Sequence, residues 1–259
     1  MSQLILKEQE ALYEPIHVEI DHIVTEDDTP VDNLLSARQQ RLFVHSLYAS
    51  WKPNRQFLAE ANVGIWRGNY LPTIVPDFFL SMDVGVPENW TEKRHRSYFL
   101  WEFGKPPELV IEIVSNKVGN ELEKKANAYA VMGVWYYVIF DPELHIQKER
   151  LTVYQNKLGE FIAKDNNFMD RLGLGVELWD GVFETKEFEW VRWVDADGNI
   201  LPTADEKAEV ANARADFAER RANSAEQRAD AEAAARADAE ARAKKLAAKL
   251  RALGIDLDE

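Results

Sequence analysis

The segment Glu108-Leu109-Val110-Ile111-Glu112-Ile113-Val114-Ser115 constrains the fold more than any other part of the chain. Its apolar residues run almost unbroken instead of alternating, the pattern of a central strand covered on both faces. Glu112 stands in the middle of that run. An unpaired carboxylate buried there would cost several kcal/mol. A cation, a buried Lys or Arg, or a raised pKa therefore has to compensate. The competing reading is a strand less central than its composition suggests, with Glu112 reaching solvent.

A sheet covered on both faces needs further layers, and the chain offers them. Leu42, Phe43, Val44, Leu47 and Tyr48 recur at helical spacing, which predicts a helix over 36–51 with Ser36 as N-cap and Pro53 beyond its end. Strand-like runs follow at 57–66, 73–82 and 108–115. The insertion 83–107 between the last two is rich in Pro, Gly, Trp and charge, and is expected to hold a hairpin or a substrate-facing loop. Residues 120–132 read as a helix closed by Gly133 at the C′ position. Residues 134–140 (VWYYVIF) read as a strand ended by Asp141-Pro142. A hairpin is expected from 144–156 and 160–162 around Lys157-Leu158-Gly159, and further strand pieces from Trp179 to Ile200 with a turn at Asp197-Gly198. This order suits an α/β sheet with helices packed on it.

After Pro202 the composition shifts to Ala, Glu, Arg and Asp. Ala204, Ala208, Ala211, Ala215, Ala218, Ala222, Ala225 and Ala229 alternate steps of four and three, a heptad seam made of alanine. The same register meets Glu232 and Arg236, then resumes with Ala239, Ala243, Leu246, Leu250 and Leu253. Two readings stay open. One is a self-associating helix; the other is a solvated single helix held by alanine propensity and ion pairs four residues apart. The chain thus divides into an acidic N-terminal arm (1–35), a folded body (36–203) and a helical, coiled-coil-like tail (204–259).

The chain contains no Cys, which removes disulfides, thiolate zinc sites and cysteine nucleophiles. No run approaches the roughly 18 apolar residues of a membrane span, and the start lacks the pattern of a secretory signal. A cytoplasmic setting is expected. The net charge is −14, and residues 1–203 carry 20 basic against 32 acidic side chains. Any nucleic-acid footprint must therefore be local.

Asp77 repeats the anomaly of Glu112. It stands in the apolar run Thr73-Ile74-Val75-Pro76-Asp77-Phe78-Phe79-Leu80, just after a Pro that favours an edge or a strand start. Alone, Pro-Asp is a common turn pair. Two acids on neighbouring strands are a means of holding Mg²⁺ through hard oxygen ligands. On the 120–132 helix, Leu122, Ala126, Tyr129, Met132 and Gly133 share one face, with Lys125 at its edge and Lys124 nearly opposite. Lys125 can reach inward or snorkel to solvent; Lys124 is expected in solvent. Tyr129 reads as sheet-packing core.

Pro76-Asp77, then Glu112-Ile113-Val114-Ser115, then Glu121, Lys125 and Tyr129 at steps of four, then Gly133 to Pro142, together resemble the Uma2 family, whose members are regarded as endonucleases of the PD-(D/E)XK superfamily. The resemblance covers roughly 36–200, including Leu151-Thr152-Val153-Tyr154 as the strand after the core. It implies a restriction-endonuclease-like fold, a mixed sheet with flanking helices, and Mg²⁺- or Mn²⁺-dependent hydrolysis of DNA. Asp77 and Glu112 would be the metal-binding acids, the main-chain carbonyl of Ile113 a further ligand, and Lys125 the third catalytic group. Val114 occupies the position where the superfamily motif carries Lys, and the resemblance takes that lysine from the following helix.

Other features carry less. His17, His22, His45, His95 and His145 are scattered without metal-ligand spacing. Lys93-Arg94-His95-Arg96 is the one dense basic patch, a nucleic-acid contact or a plain solvated loop. No Gly-rich phosphate loop and no Gly-x-Ser-x-Gly elbow occurs. The leading expectation is a Mg²⁺-dependent endonuclease acting on DNA and forming a homo-oligomer. The rival is a catalytically silent member that binds partners through its tail; a hydrolase of another phosphoester stands third.

Overall fold

The structure, a computed structural model, describes residues 33–89, 91–115 and 120–252, except the side chains of 120–122. The N-terminal arm up to residue 32, His17, His22, Leu253, and the side chains of Glu121 and Leu122 lie outside the described residues. The chain divides into two compact units after Ala204.

Helix α1 spans Leu34–Ser50. Asn33 caps it, its Oδ1 accepting the Ser36 N–H at 2.8 Å. The cap expected at Ser36 is therefore three residues earlier, and Ser36 is buried inside the first turn. The buried positions 36, 39, 40, 42, 43, 46 and 47 recur at three and four, one stripe facing the core.

Six strands form the main sheet: β1 (Phe57–Glu60), β3 (Phe78–Met82), β5 (Leu109–Ile113), β6 (Tyr136–Phe140), β7 (Leu151–Lys157) and β8 (Glu160–Ala163), in that spatial order. β5 and β6 are parallel and every other neighbour is antiparallel. The sheet is thus mixed, and helix α3 (Asn120–Met132) connects its parallel pair. Every residue of β3, β5 and β6 is buried. That is why their sequences read as unbroken apolar runs.

One face of the sheet packs Phe78, Leu109, Ile111, Val138 and Val153 against Phe43 and Leu47 of α1. The same cluster takes in Val176, Val191 and Trp193 of a second sheet, ordered β11-β10-β9: β9 (Phe168–Met169), β10 (Leu174–Phe183) and β11 (Lys186–Val194). Gln39 sews α1 to β11, exchanging hydrogen bonds with the Val191 carbonyl (2.8 Å) and amide (2.9 Å). The opposite face packs Phe79, Val110, Tyr137 and Ile139 against Tyr129 and Val134 at the end of α3. Gly133 closes α3 at φ 96°, and the Asn156 amide donates to the carbonyls of Ala130 (2.8 Å) and Val134 (2.9 Å).

Several expected strands are shorter. Residues 57–66 break at Asn62, which sits at φ 57°, leaving β1 and a two-residue β2 (Ile65–Trp66). Residues 144–150 form no strand because Asp141 gathers the amides of His145, Ile146 and Gln147 onto its carboxylate. The insertion 83–107 holds no hairpin among its described residues. It supplies β4 (Tyr98–Phe99), parallel to β2, and the short helix α2 (Leu100–Phe103). The β7–β8 hairpin does turn at Leu158-Gly159, both at positive φ.

Helix α4 spans Ala204–Ala252, 49 residues with none buried. At about 1.5 Å per residue it is roughly 73 Å long. No helix among the described residues is long and apolar enough to cross a membrane.

Candidate active site

Side chains alternate along β5, so Ile111 and Ile113 point toward α1 whereas Val110, Glu112 and Val114 point toward α3. Glu112 is 3% exposed, in the centre of the sheet. Lys125 and Tyr129 are four residues apart on α3 and so lie on one face. Lys125 Nζ donates to Glu112 Oε2 at 3.1 Å, and the Tyr129 hydroxyl donates to Oε1 at 2.8 Å. Lys125 Nζ also donates to the Val75 carbonyl at 2.9 Å, tying α3 to the chain that leads into β3.

Asp77 immediately precedes β3 rather than standing inside it. Pro76 has no amide to give a ladder, so regular pairing begins only at Phe78↔Ile111. Past that pair the Ile113 N–H donates to Asp77 Oδ2 at 2.6 Å. From α1, Gln40 Nε2 donates to Asp77 Oδ1 at 3.1 Å. The Asp77 carboxylate is thus held beside the peptide that follows Glu112.

The Glu112 carboxyl stands at about 8, raised chiefly by burial. The Lys125 amine pulls it back, the negative charge of Asp77 pushes it further, and the hydrogen bonds from Tyr129 and Lys125 pull it back again. Burial and then the Glu112 charge hold the Tyr129 phenol well above its ordinary range, so it is a donor at any working pH. The same two causes act on Tyr137.

The structure therefore brings together Asp77, Glu112, Lys125 and Ile113, the last through its amide. Lys124 is exposed, as expected. Two participants were not anticipated. Tyr129 is core, but its hydroxyl serves Glu112. Gln40 was readable only as one of several polar residues on the buried stripe of α1, beside Ser36, Gln39 and Ser46. The described histidines, His45, His95 and His145, belong to no metal cluster: among the described residues no group of three or more His, Cys, Asp or Glu gathers as one. The basic stretch at 93–96 is partly neutralised, since Arg94 lies 3.8 Å from Glu92 and 3.7 Å from Glu102.

Could these residues hold a divalent ion? Their donors are carboxylate oxygens, the ligands that Mg²⁺ prefers, and Mg²⁺ keeps several waters, so two acids suffice. Each hydrogen-bonded carboxylate oxygen retains a second lone pair. The two acids are close enough that one charge raises the other's pKa, a strain that a cation between them would relieve. The residues fit the ion.

The family model of Uma2, described as "Putative restriction endonuclease", matches residues 15–178, more than half of the chain. The chain belongs to the Uma2 family. A solved structure similar to it is a "putative nuclease belonging to DUF820" from Anabaena variabilis ATCC 29413. The two are 19% identical over 53% of this chain and 71% of that one, with a TM-score of 0.39. No curated protein matches this Uma2 chain at a significant level.

Proposed function

We propose that the protein is a Mg²⁺- or Mn²⁺-dependent endonuclease that hydrolyses DNA phosphodiester bonds. The observation that carries this reading is a carboxylate sunk in the middle of a sheet, clamped by an amine from a helix and crowded by a second acid. Asp77 and Glu112 would hold the ion, with the Ile113 carbonyl as a further ligand. When bound, the ion supplies Lewis acidity toward the phosphate and lowers the pKa of water. Gln40 and the Ile113 amide orient Asp77, and Tyr129 orients Glu112. The Lys125 amine sits where it can favour the negative charge that develops on the phosphate.

The test is a cleavage assay of purified protein on DNA with Mg²⁺ or Mn²⁺, beside Asp77→Ala and Lys125→Ala. Cutting that disappears in both variants supports the reading. Equal cutting by all three proteins identifies a contaminant and overturns it.

A second reading, a catalytically silent binding module, draws on the net charge of −14 and on α4, which buries no residue of its own. Divalent-ion binding separates the two, because a silent module has no use for the ion. For either reading the nuclease-like body ends near residue 203, the setting is cytoplasmic, and α4 is a coiled-coil element of a homo-oligomer. Light scattering should give a smaller assembly after residues 204–259 are deleted; an unchanged mass contradicts that role.

A further inference from the structure

Several cations of the body have an acid at hand. Arg41 pairs with Glu184, Arg55 with Asp83, Lys105 with Glu108, Arg150 with Glu189 and Lys164 with Asp170. In a chain this acidic, local neutralisation is the expected state.

Arg67 and Lys124 depart from it. Neither is paired with a carboxylate among the described residues, and both line one open cleft of about 440 Å³. Thr73, Val75 and Lys125 also border the cleft, and no carboxylate does. Arg67 Nε is buried and without a hydrogen-bond partner among the described residues. A buried guanidinium N–H left unsatisfied is costly, and an incoming acceptor would remove that cost. The cleft also adjoins the candidate site: Val75, on its wall, accepts the Lys125 hydrogen bond, and Lys125 reaches Glu112.

We propose that this cleft seats the nucleic-acid backbone beside the cutting point, with Arg67 and Lys124 each contacting a phosphodiester that flanks the one attacked. The assignment rests on the nuclease reading and adds to it the path of the substrate. A planar guanidinium fork suits a phosphate's oxygens, while Lys124, exposed on α3, supplies a mobile point charge. The stretch at 93–96 is denser in basic residues, but Arg94 there already has two acids within 4 Å. Two cations without a carboxylate partner on one cleft that no acid lines, and not basic density, select it.

The experiment is binding of a labelled DNA duplex to the full chain, followed by fluorescence anisotropy over a KCl series with Ca²⁺ replacing Mg²⁺. Arg67→Gln and Lys124→Gln should each weaken binding about fivefold to tenfold and reduce the slope of log K against log salt by about one. Arg94→Gln should leave the slope as it is. Lys124 is exposed on a helix, so its variant folds even if the Arg67 variant does not. Wild-type slopes in both cleft variants, an equal loss in Arg94→Gln, or no DNA binding at all would overturn the proposal. A separate arm titrates inorganic phosphate at constant ionic strength. Displacement of DNA by phosphate at comparable concentration would mean a small-anion site and would also overturn it. The two readings fail differently. A chain that cuts DNA while both variants keep the wild-type slope loses only the cleft assignment; one that binds with the expected slopes but never cuts loses the nuclease reading.

Discussion

Two buried carboxylates flank the start and the end of β5, Glu108 just before the strand and Glu112 within it, and the fold treats them differently. Glu108, 5% exposed, is closed off locally: its partner is Lys105, three residues earlier, and its Oε2 accepts the Met82 amide at 2.8 Å. Lys105 also donates to the Met82 carbonyl at 2.5 Å, so acid and amine together splice β5 to the end of β3. Glu112, 3% exposed, takes its partners from a helix in the next crossover and shares its surroundings with Asp77, whose charge pushes its carboxyl upward. Burial of an acid is common to both. What sets Glu112 apart is a second acid, a long-range amine and an open cleft that this amine borders.

The largest effect expected from this contrast is on cleavage. Asp77→Ala or Lys125→Ala should lower the rate by about 10²-fold or more. Glu108→Gln should leave it within about threefold while costing about 1–3 kcal/mol of stability by denaturant titration. A reversed order would erase the distinction between the two ends of β5.

The next effect is on stability against pH without metal. Glu112 has a folded pKa of about 8, above its unfolded value, so between the two the native state binds the extra proton. Stability is then fully present below about pH 4.5 and falls as pH rises through about 8. Glu112→Gln should flatten that fall and stabilise the metal-free protein at pH 8 on the order of 2 kcal/mol, with the gain vanishing at acid pH. Urea titrations at several pH values measure it, and a gain independent of pH would mean that Glu112 is not the group responsible.

The smallest effect is that of Tyr129→Phe. Removing the hydroxyl should cost about 1 kcal/mol and a few-fold in rate. It should also steepen the alkaline loss of stability, because that hydrogen bond pulls the Glu112 carboxyl down.

The part of the site carried by whole side-chain types in long apolar runs was readable from the residues alone. Glu112 stands out as the one polar residue of β5, Asp77 because it interrupts the apolar run from Ile74 to Leu80, and Lys125 because the period of α3 puts it at the edge of the packed face. Gln40 gave little signal, since a lone amide on a helix is ordinary until its partner is known. The β2–β4 pair escaped because two residues have no period. The β10–β11 turn escaped for another reason: Glu184 and Thr185 take positive φ (45° and 66°) where Gly or Asn would announce it. A tertiary tie, Arg41 to Glu184 at 2.5 Å, helps hold that turn.

The central claim is that Glu112 and Asp77 form one divalent-ion site. It is tested most directly by titrating Mn²⁺ into metal-free protein at pH 7 in buffers of different ionisation enthalpy. A carboxyl with a pKa of about 8 is largely protonated at that pH, so binding should expel close to one proton and the measured heat should depend on the buffer. Asp77→Asn should abolish the binding heat. Heat that is the same in every buffer, or undiminished in Asp77→Asn, would contradict a site built on these two acids.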